Sequence, residues 1–363
     1  MQVLRVVGSV VLVTLFTAGC AADQAMFRGD AEHRGLSASS DPAGSMPPAW
    51  EFDADAPSYS SPIVFGDRVF FGDNDGSMHA LDAATGERVW RDGVEGTIEA
   101  TPAVDEDHVY YGAWDGVFRA VARDSGRTVW EYETDERLYA SPTLDDDRVY
   151  IGTGDGRVVA LARDDGEALW EVAVGDGVYS APTVVGDRVV FGTLAGTIHA
   201  VAADDGSELW QFATEGEPVF ATPASDGEVV AVGSYDGRMY LLAVDSGEEI
   251  WRFRTGGRVF ASAALTDDRV IFGSGDGFLY ALDRDSGTRD WEFEVGSRLF
   301  SSPVATAAAV YVGSRDGQLV AVELATGEER WRAQLGDAIY ATPVVADGRI
   351  WIATREGVVY ALE

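Results

Sequence analysis

Tryptophan recurs along this chain at an almost constant interval. Eight tryptophans are separated by seven intervals, six of 40 residues and one of 41. They are Trp50, Trp90, Trp130, Trp170, Trp210, Trp251, Trp291 and Trp331. A fixed period of this length is typical of repeat architectures, in which each unit packs against its neighbours. The period therefore predicts one array of similar units.

Each unit has the composition of short β-strands joined by tight turns. In the second unit the apolar runs read ATPAV, HVYYGAW, VFRAVA and RTVWEYE, and glycine follows a small polar residue at Asp115-Gly116 and Ser125-Gly126. Four strands of about five residues, punctuated by glycine turns, form an antiparallel sheet. A four-stranded unit of roughly 40 residues is typical of a propeller blade.

The two ends of the chain predict how the ring closes. Eight segments begin a unit, but the last unit stops at VVYALE, before its tryptophan strand. Trp50 lies ahead of the first unit, within PPAWEFDAD. We therefore expect residues 48–53 to supply the outer strand of the final blade, which leaves no open gap in the ring. The predicted fold is all-β, an eight-bladed propeller of four-stranded antiparallel blades, with each repeat tryptophan packed between neighbouring blades.

The charge of the chain excludes one class of partner. The formal net charge is −34, from 27 basic and 61 acidic residues, and every basic residue is arginine. Such a chain repels phosphate backbones and anionic lipid headgroups, so we expect no nucleic-acid partner.

The N-terminus has the pattern of an export signal. Arg5 precedes the apolar run 6–16, which is too short to span a bilayer. Cys20, the only cysteine, follows Thr17-Ala18-Gly19, and the run resembles a bacterial lipoprotein signal. We predict a signal peptide over 1–19, a tether and pre-blade segment over 20–45, and the propeller over 46–363. Lipidation of Cys20 would be the chain's sole membrane contact; the alternative is an ordinary cleaved signal that happens to contain a cysteine.

One position in the repeat marks a candidate binding site. Three residues before the recurring proline position, which is Pro62 in the first unit, seven units carry an aromatic residue and one carries a carboxylate. These residues are Tyr59, Glu99, Tyr139, Tyr179, Phe220, Phe260, Phe300 and Tyr340. Placed at one mouth of the axial channel, they would form a docking collar for a peptide strand or a flat ligand, with Glu99 giving it a direction. The alternative is that they pack each strand against the next blade.

Other residues suggest turns and surface positions. The position of Asp73 is occupied by Ala113 in the next unit, so we interpret Asp73 as a turn former and not as a metal ligand. The four histidines share no ligand spacing, so we expect surface or turn positions and no metal site: His33, His79, His108 and His199.

The repeat resembles a known family. ALDAATGERVW at 80–90 and AVELATGEERW at 321–331 resemble the tryptophan-docking motif of pyrroloquinoline-quinone-type repeat propellers. MFRGDAEHRG at 26–35 is similar to the segment that precedes the first blade in such chains, so the resemblance covers about residues 26–363. It implies an eight-bladed propeller.

Two branches of that family differ in function. The quinone-dependent dehydrogenases use the quinone with calcium, a vicinal disulfide, a catalytic aspartate and long insertions, whereas this chain has one cysteine and units of 40 or 41 residues. The other branch, the BamB lipoproteins of outer-membrane β-barrel assembly, has short blades and no cofactor. By this resemblance we expect a non-enzymatic, exported and lipid-anchored scaffold without cofactor, acting as a monomer within a complex of membrane-associated proteins such as β-barrel assembly components. The alternatives are a quinone- and calcium-dependent dehydrogenase, or a propeller that binds or senses a small ligand.

Overall fold

Eight small β-sheets make up the molecule. The computed structural model describes residues 25–42 and 47–363. Within these ranges thirty-two strands form eight four-stranded antiparallel sheets. The described part of the chain contains no helix that could cross a membrane. The sheets are the blades of a propeller, which confirms the predicted fold class and blade number.

Each blade contributes one strand to each of four layers around the axis. The innermost strands of blades 1 to 8 are β2 (Ile63–Phe65), β6 (Ala103–Val104), β10 (Thr143–Leu144), β14 (Thr183–Val185), β18 (Ala224–Ser225), β22 (Ala264–Leu265), β26 (Val304–Ala305) and β30 (Val344–Ala346). The second strands are β3 (Arg68–Gly72), β7 (His108–Gly112), β11 (Arg148–Gly152), β15 (Arg188–Gly192), β19 (Val229–Ser234), β23 (Arg269–Gly273), β27 (Ala309–Gly313) and β31 (Arg349–Ala353). The third strands are β4 (Ser77–Asp82), β8 (Val117–Ala122), β12 (Arg157–Ala162), β16 (Thr197–Ala202), β20 (Arg238–Ala243), β24 (Phe278–Asp283), β28 (Gln318–Glu323) and β32 (Val358–Leu362). The outer strands are β5 (Arg88–Gly93), β9 (Thr128–Glu133), β13 (Ala168–Ala173), β17 (Glu208–Ala213), β21 (Glu249–Arg254), β25 (Arg289–Glu294), β29 (Glu329–Gln334) and β1 (Trp50–Asp53).

The side-chain pattern of each strand follows from its layer. The second and third strands lie between neighbouring blades and are buried on both faces, so they are nearly continuous apolar runs. The outer strands have one face in solvent and alternate accordingly; in β13 only Trp170 is fully buried. The core is therefore the set of interfaces between blades.

Each repeat tryptophan extends from an outer strand onto the next blade. The Trp130 indole Nε1 donates a hydrogen bond to the Arg163 carbonyl at 2.9 Å. Gly166, in the same turn as Arg163, has φ of 74°, and a Cβ there would lie 2.4 Å from the indole. Glycine is thus required both by the backbone conformation and by the close approach of the ring. The same indole bond, at 2.7 to 3.0 Å, forms at Trp50, Trp90, Trp170, Trp210, Trp251 and Trp291, while Trp331 is half-buried beside Tyr311.

A second set of contacts joins the blades near the axis. The backbone N–H of Ser61 donates to the Thr101 hydroxyl at 3.1 Å, and the Thr101 N–H donates to the Ser141 hydroxyl at 3.0 Å. The pattern repeats from Ala181 to Thr222, Thr222 to Ser262, Ser262 to Ser302, and Thr342 to Ser61. Each bond satisfies a buried backbone donor with a side chain from the next blade.

The ring closes where the two ends of the chain meet. Strand β1 pairs antiparallel with β32, so that Trp50 lies opposite Ala361. Phe52 of β1 then packs edge-on against Phe71 of blade 1 at 6.1 Å between ring centroids. The sequence prediction of an N-terminal strand that completes the last blade is confirmed.

The segment ahead of the first blade docks inside the ring. Residues 25–37, here called the plug, run past the ends of the innermost strands. Backbone N–H groups of five blades donate to plug carbonyls at 2.6 to 2.9 Å: Val104 to Ala25, Val184 to Ala31, Ser225 to Glu32, Leu265 to Arg34 and Ala305 to Gly35. Within the predicted tether and pre-blade segment, 20–45, the plug is thus bound to five blades.

Two buried polar side chains hold the plug. The Arg28 guanidinium donates to the His33 carbonyl at 2.9 Å, to the Ser262 carbonyl at 3.1 Å and to the Ala263 carbonyl. Burial lowers the pKa of Arg28 to about 9. The His33 ring Nε2 lies 2.9 Å from the Thr143 hydroxyl, and burial lowers the pKa of His33. The plug therefore closes one end of the axial channel through polar contacts with several blades.

Candidate functional site

The side chains predicted to surround one mouth of the channel line a single cavity there. The cavity has a volume of about 190 Å³, and Phe27 of the plug contributes to its lining. The eight predicted residues all contribute to the lining and are here called the collar: Tyr59, Glu99, Tyr139, Tyr179, Phe220, Phe260, Phe300 and Tyr340. Since the plug occupies the other end of the channel, the collar mouth opens into a closed cup.

The collar rings contact one another around most of the mouth. Tyr59 and Tyr340 lie 5.4 Å apart between ring centroids, and Tyr340 and Phe300 lie 4.9 Å apart. The Phe300–Phe260 distance is 4.4 Å. On the other side, Tyr139 stacks on Tyr179 at 4.2 Å, and Tyr179 meets Phe220 edge-on at 5.8 Å. The rings thus pack blade against blade, which is the second alternative from the sequence, and they also line the cup; their docking role stays a prediction.

Two further aromatic residues, which sequence reasoning did not assign to the site, extend the collar. Tyr235 lies between Phe220 and Phe260, at 4.5 Å from each ring. Trp114 lies 5.2 Å from Tyr139. Both occupy the turn between the second and third strands of their blades, at the residue before Asp-Gly. The available signal was that this turn position is aromatic in only these two units.

Two arginines cover the outer faces of these turn residues. The Arg137 guanidinium lies 4.7 Å from the Trp114 ring, and the Arg258 guanidinium lies 5.0 Å from the Tyr235 ring. These are cation–π distances. Two positively charged guanidinium groups therefore pack against aromatic rings at the edge of the mouth.

Glu99 occupies the gap in the aromatic series, between Tyr59 and Tyr139. Its side chain is half-buried, and no described residue forms a hydrogen bond or ion pair with its carboxylate. Burial raises the pKa of Glu99. An unpartnered carboxylate beside aromatic rings makes this side of the mouth unfavourable for a second carboxylate.

The cup does not have the donor set of a calcium–quinone site. Ca²⁺ takes about six to eight oxygen ligands, several of them carboxylates. Glu99 is the single carboxylate in the lining, and the described residues contain no group of three or more His, Cys, Asp or Glu that could hold a metal ion. The hydroxyls of the lining, such as Thr101, already accept hydrogen bonds from neighbouring blades.

The expectation of surface or turn histidines is wrong for His79 and His199, which lie within strands, whereas His33 closes a turn by donating its N–H to the Asp30 carbonyl at 3.1 Å. His33, His79 and His199 are buried, and only His108 is partly exposed. The reason at His79 is a buried hydrogen-bonding partner, since its Nε2 lies 2.8 Å from Asp73 Oδ2.

Asp73 consequently does more than form a turn. Its other oxygen accepts the Ser77 N–H at 2.8 Å, which is the predicted turn contact. Burial opposes ionisation of Asp73, but the bonds from His79 and Ser77 outweigh it and lower the pKa of Asp73. The pair lies in blade 1, where His79 also packs against Phe52 of the closing strand at 5.7 Å.

A larger cavity, of about 670 Å³, lies beside the plug at the opposite end of the channel. One carboxylate of its acidic lining is paired within the lining: Arg163 donates to Asp105 at 2.5 Å, and also to the Asp145 carbonyl at 2.6 Å. Tyr110 also donates to Asp105 at 2.8 Å. Burial opposes ionisation of Asp105, yet the bonds from Arg163 and Tyr110 lower its pKa. These contacts join blades 2 and 3 and indicate a structural role.

The predicted lipidation site, Cys20, lies outside the described residues, as does the predicted signal peptide. Lipidation and export therefore remain predictions from the sequence.

Comparison with solved structures places the fold among known propellers. BamB from Moraxella catarrhalis is 20% identical with a TM-score of 0.75, over 87% of this chain and 99% of that one. A quinohemoprotein alcohol dehydrogenase from Comamonas testosteroni is 17% identical with a TM-score of 0.82, over 95% of this chain and 81% of that one. A computationally designed protein, Ika8, is 18% identical with a TM-score of 0.76, over 85% and 97%. These likenesses establish the fold alone.

Sequence comparison identifies the family. Curated protein sequences give no match. The family described as outer membrane protein assembly factor BamB matches in four overlapping segments, at 47–140, 114–222, 194–309 and 294–363. Together these segments cover all eight blades. The chain therefore belongs to the BamB-type family of eight-bladed repeat propellers.

Proposed function

We propose that this chain is a non-enzymatic, extracytoplasmic scaffold that binds partner proteins at its collar mouth and serves outer-membrane β-barrel assembly. The observation that carries the proposal is the series of aromatic rings around the open end of a closed cup. Family membership supplies the assembly context.

The physical chemistry of the collar suits protein recognition. Aromatic and arginine side chains are enriched at the energetically dominant positions of protein interfaces, because they present a large contact area with few rotatable bonds. Here the rings are mounted at the starts of strands in a rigid ring, so little conformational entropy is lost when a partner binds.

The location follows from the N-terminus. A lipid on Cys20 would hold the propeller at a membrane surface, and the partners would be membrane-associated proteins. The propeller would act as a monomer within their complex, without a cofactor.

The test is affinity purification from native membranes in a source that has an outer membrane. We expect the anchored protein to recover β-barrel assembly components, and a Tyr59→Ala/Phe260→Ala variant to lose them. The matched control is Leu169→Ala/Leu209→Ala, which removes two exposed apolar side chains from outer strands, 49% and 46% exposed. Recovery of no assembly component, or equal recovery with the collar variant, would overturn the proposal.

A quinone-dependent dehydrogenase is the second candidate, favoured by the likeness in fold to the alcohol dehydrogenase. It is tested by adding pyrroloquinoline quinone and calcium and measuring absorbance and dye reduction with alcohols or sugars. We expect neither to change, because the cup offers one carboxylate to a calcium ion.

A further inference from the structure

The collar mouth carries arginines that have no ionic partner within the molecule. In a chain with net charge −34, carboxylates are abundant, and most arginines elsewhere pair with one, as Arg119 does with Asp115 at 2.7 Å. Five exposed arginines at the mouth form no ion pair with any described carboxylate: Arg137, Arg258, Arg298, Arg315 and Arg355.

Four of these arginines lie along one side of the mouth. Arg258 and Arg298 precede the collar residues Phe260 and Phe300 by two positions. The Arg315 N–H donates to the Arg298 carbonyl at 3.1 Å, which places the two backbones side by side. We call Arg258, Arg298, Arg315 and Arg355 the arginine arc.

Arg355 ends the arc next to blade 1. Its N–H donates to the Ala338 carbonyl at 2.8 Å, and its carbonyl accepts the Ser58 N–H at 3.0 Å. Ser58 directly precedes Tyr59 of the collar. The arc therefore extends from the start of blade 6 to the junction of blades 8 and 1.

Glu99 lies across the mouth from one end of the arc, Arg258. It begins blade 2, and in a ring of eight blades the start of blade 2 is opposite the start of blade 6, where Arg258 lies. The mouth is thus asymmetric, because four unpaired guanidinium groups lie along the arc while the side of the half-buried Glu99 carboxylate has one, that of Arg137.

The size of the cup limits what can enter it. Sites for drug-sized molecules and cofactors have volumes of about 300–1,000 Å³. The cup has about 190 Å³, enough for one large side chain. Its aromatic lining favours an apolar or aromatic group, and the guanidinium groups outside it match carboxylates in a planar, two-bonded geometry.

We propose that the collar mouth binds an extended acidic segment of a partner protein. One aromatic or aliphatic side chain of the segment enters the cup, and its carboxylates lie on the arginine arc. Glu99 disfavours acidic residues on its own side of the mouth and so fixes the direction of the segment. The inference rests on the proposed function as a scaffold and specifies the chemistry of its partner.

Fluorescence anisotropy with synthetic peptides tests the proposal. The probe is a labelled eight-residue peptide with three consecutive acidic residues followed by phenylalanine. One control peptide replaces the acids with their amides, and another replaces phenylalanine with glycine. We expect each control to bind at least tenfold more weakly than the probe, because each removes one half of the recognition.

Matched variants distinguish an effect of the arginine arc on binding from an effect of the overall charge. Arg298→Gln/Arg315→Gln should weaken binding of the probe at least tenfold. Arg88→Gln/Arg127→Gln removes the same charge from two other exposed, unpaired arginines. Arg88 begins outer strand β5 and Arg127 directly precedes outer strand β9, so this variant should leave binding within twofold. All four side chains are exposed, and circular dichroism with thermal unfolding verifies that each variant is folded.

Several outcomes would overturn the inference. These are the absence of probe binding at millimolar peptide, equal binding of the amide peptide, or equal losses in the two double variants. Binding of phosphatidylglycerol vesicles through the arc, without binding of the probe, would assign it to a lipid surface instead. Failure of the membrane purification with peptide binding intact would overturn the assembly role and leave this inference standing.

Discussion

The contact between Trp130 and Gly166 gives the sharpest test of what holds the blades together. The Trp130 side chain is 8% exposed, and its ring lies 5.9 Å from Tyr110 and from Phe118. Replacement of a packed tryptophan by alanine costs about 3–5 kcal/mol. The indole bond to the Arg163 carbonyl is lost as well. We expect Trp130→Ala to lower the free energy of unfolding by about 4 kcal/mol.

Gly166→Ala should destabilise the same interface from the other side. Its φ of 74° costs an alanine about 1–2 kcal/mol. The added Cβ lies 2.4 Å from the indole, and the three nearest atoms all belong to that ring. Such overpacking costs a further 1–3 kcal/mol or so. In the Trp130→Ala background the indole is absent, so Gly166→Ala costs only its backbone strain. The free energy of unfolding lost in the double variant should therefore be about 1–3 kcal/mol smaller than the sum of the two single losses.

Urea unfolding followed by far-ultraviolet circular dichroism measures all the variants. Val129→Ala is the control, because Val129 neighbours Trp130 in the same strand and is 49% exposed; its effect should stay within about 0.5 kcal/mol. Additivity of the two changes within about 0.5 kcal/mol, or a loss below about 1 kcal/mol for Trp130→Ala, would refute the argument that indole and glycine form one docking unit.

Three further predictions concern closure and pH. Replacing Trp50–Asp53 with a Gly/Ser sequence leaves the edge of β32 unpaired, so we expect a lower unfolding midpoint and concentration-dependent association in light scattering. Burial lowers the pKa of His33, so the stability it contributes is present above its ordinary value of 6.5 and is lost as the pH falls below it. Deuterium uptake by the plug, corrected for intrinsic exchange, should therefore rise between pH 7.5 and 5, and His33→Asn should flatten that rise whereas His108→Asn should not. Burial raises the pKa of Glu99 above its ordinary value of 4.5, so its ionisation destabilises the fold at higher pH. Glu99→Gln should raise the unfolding midpoint at pH 7 and lose this advantage near pH 4; an equal gain at both values would contradict it.

The sequence predicts those parts of the molecule that every blade repeats. The tryptophan and glycine positions indicate the blade, its period and the number of units, because the same interface recurs around the ring. The position of Trp50 ahead of the first unit is enough to predict closure. The collar could be placed for the same reason, since its residues recur at one position.

The features that differ between blades could not be predicted in this way. Asp73 and His79 form a buried pair in one blade, and comparison with the other units made Asp73 look like a replaceable turn residue. Tyr235 joins the collar from a turn in which other blades carry different residues. The plug binds mainly through backbone carbonyls, which leave no pattern of side chains in the sequence.

Because the strand that completes the last blade comes from the beginning of the chain, the ring cannot be finished until the C-terminal strand is available. The plug has a similar requirement, since Arg28 contacts Ala263, 235 residues later in the sequence. Contacts between such distant residues form slowly, after local hairpins have already assembled. A molecule exported as an unfolded chain would thus expose the edges of its early blades throughout translocation, and it would become a sealed, association-resistant particle only in its final folding step.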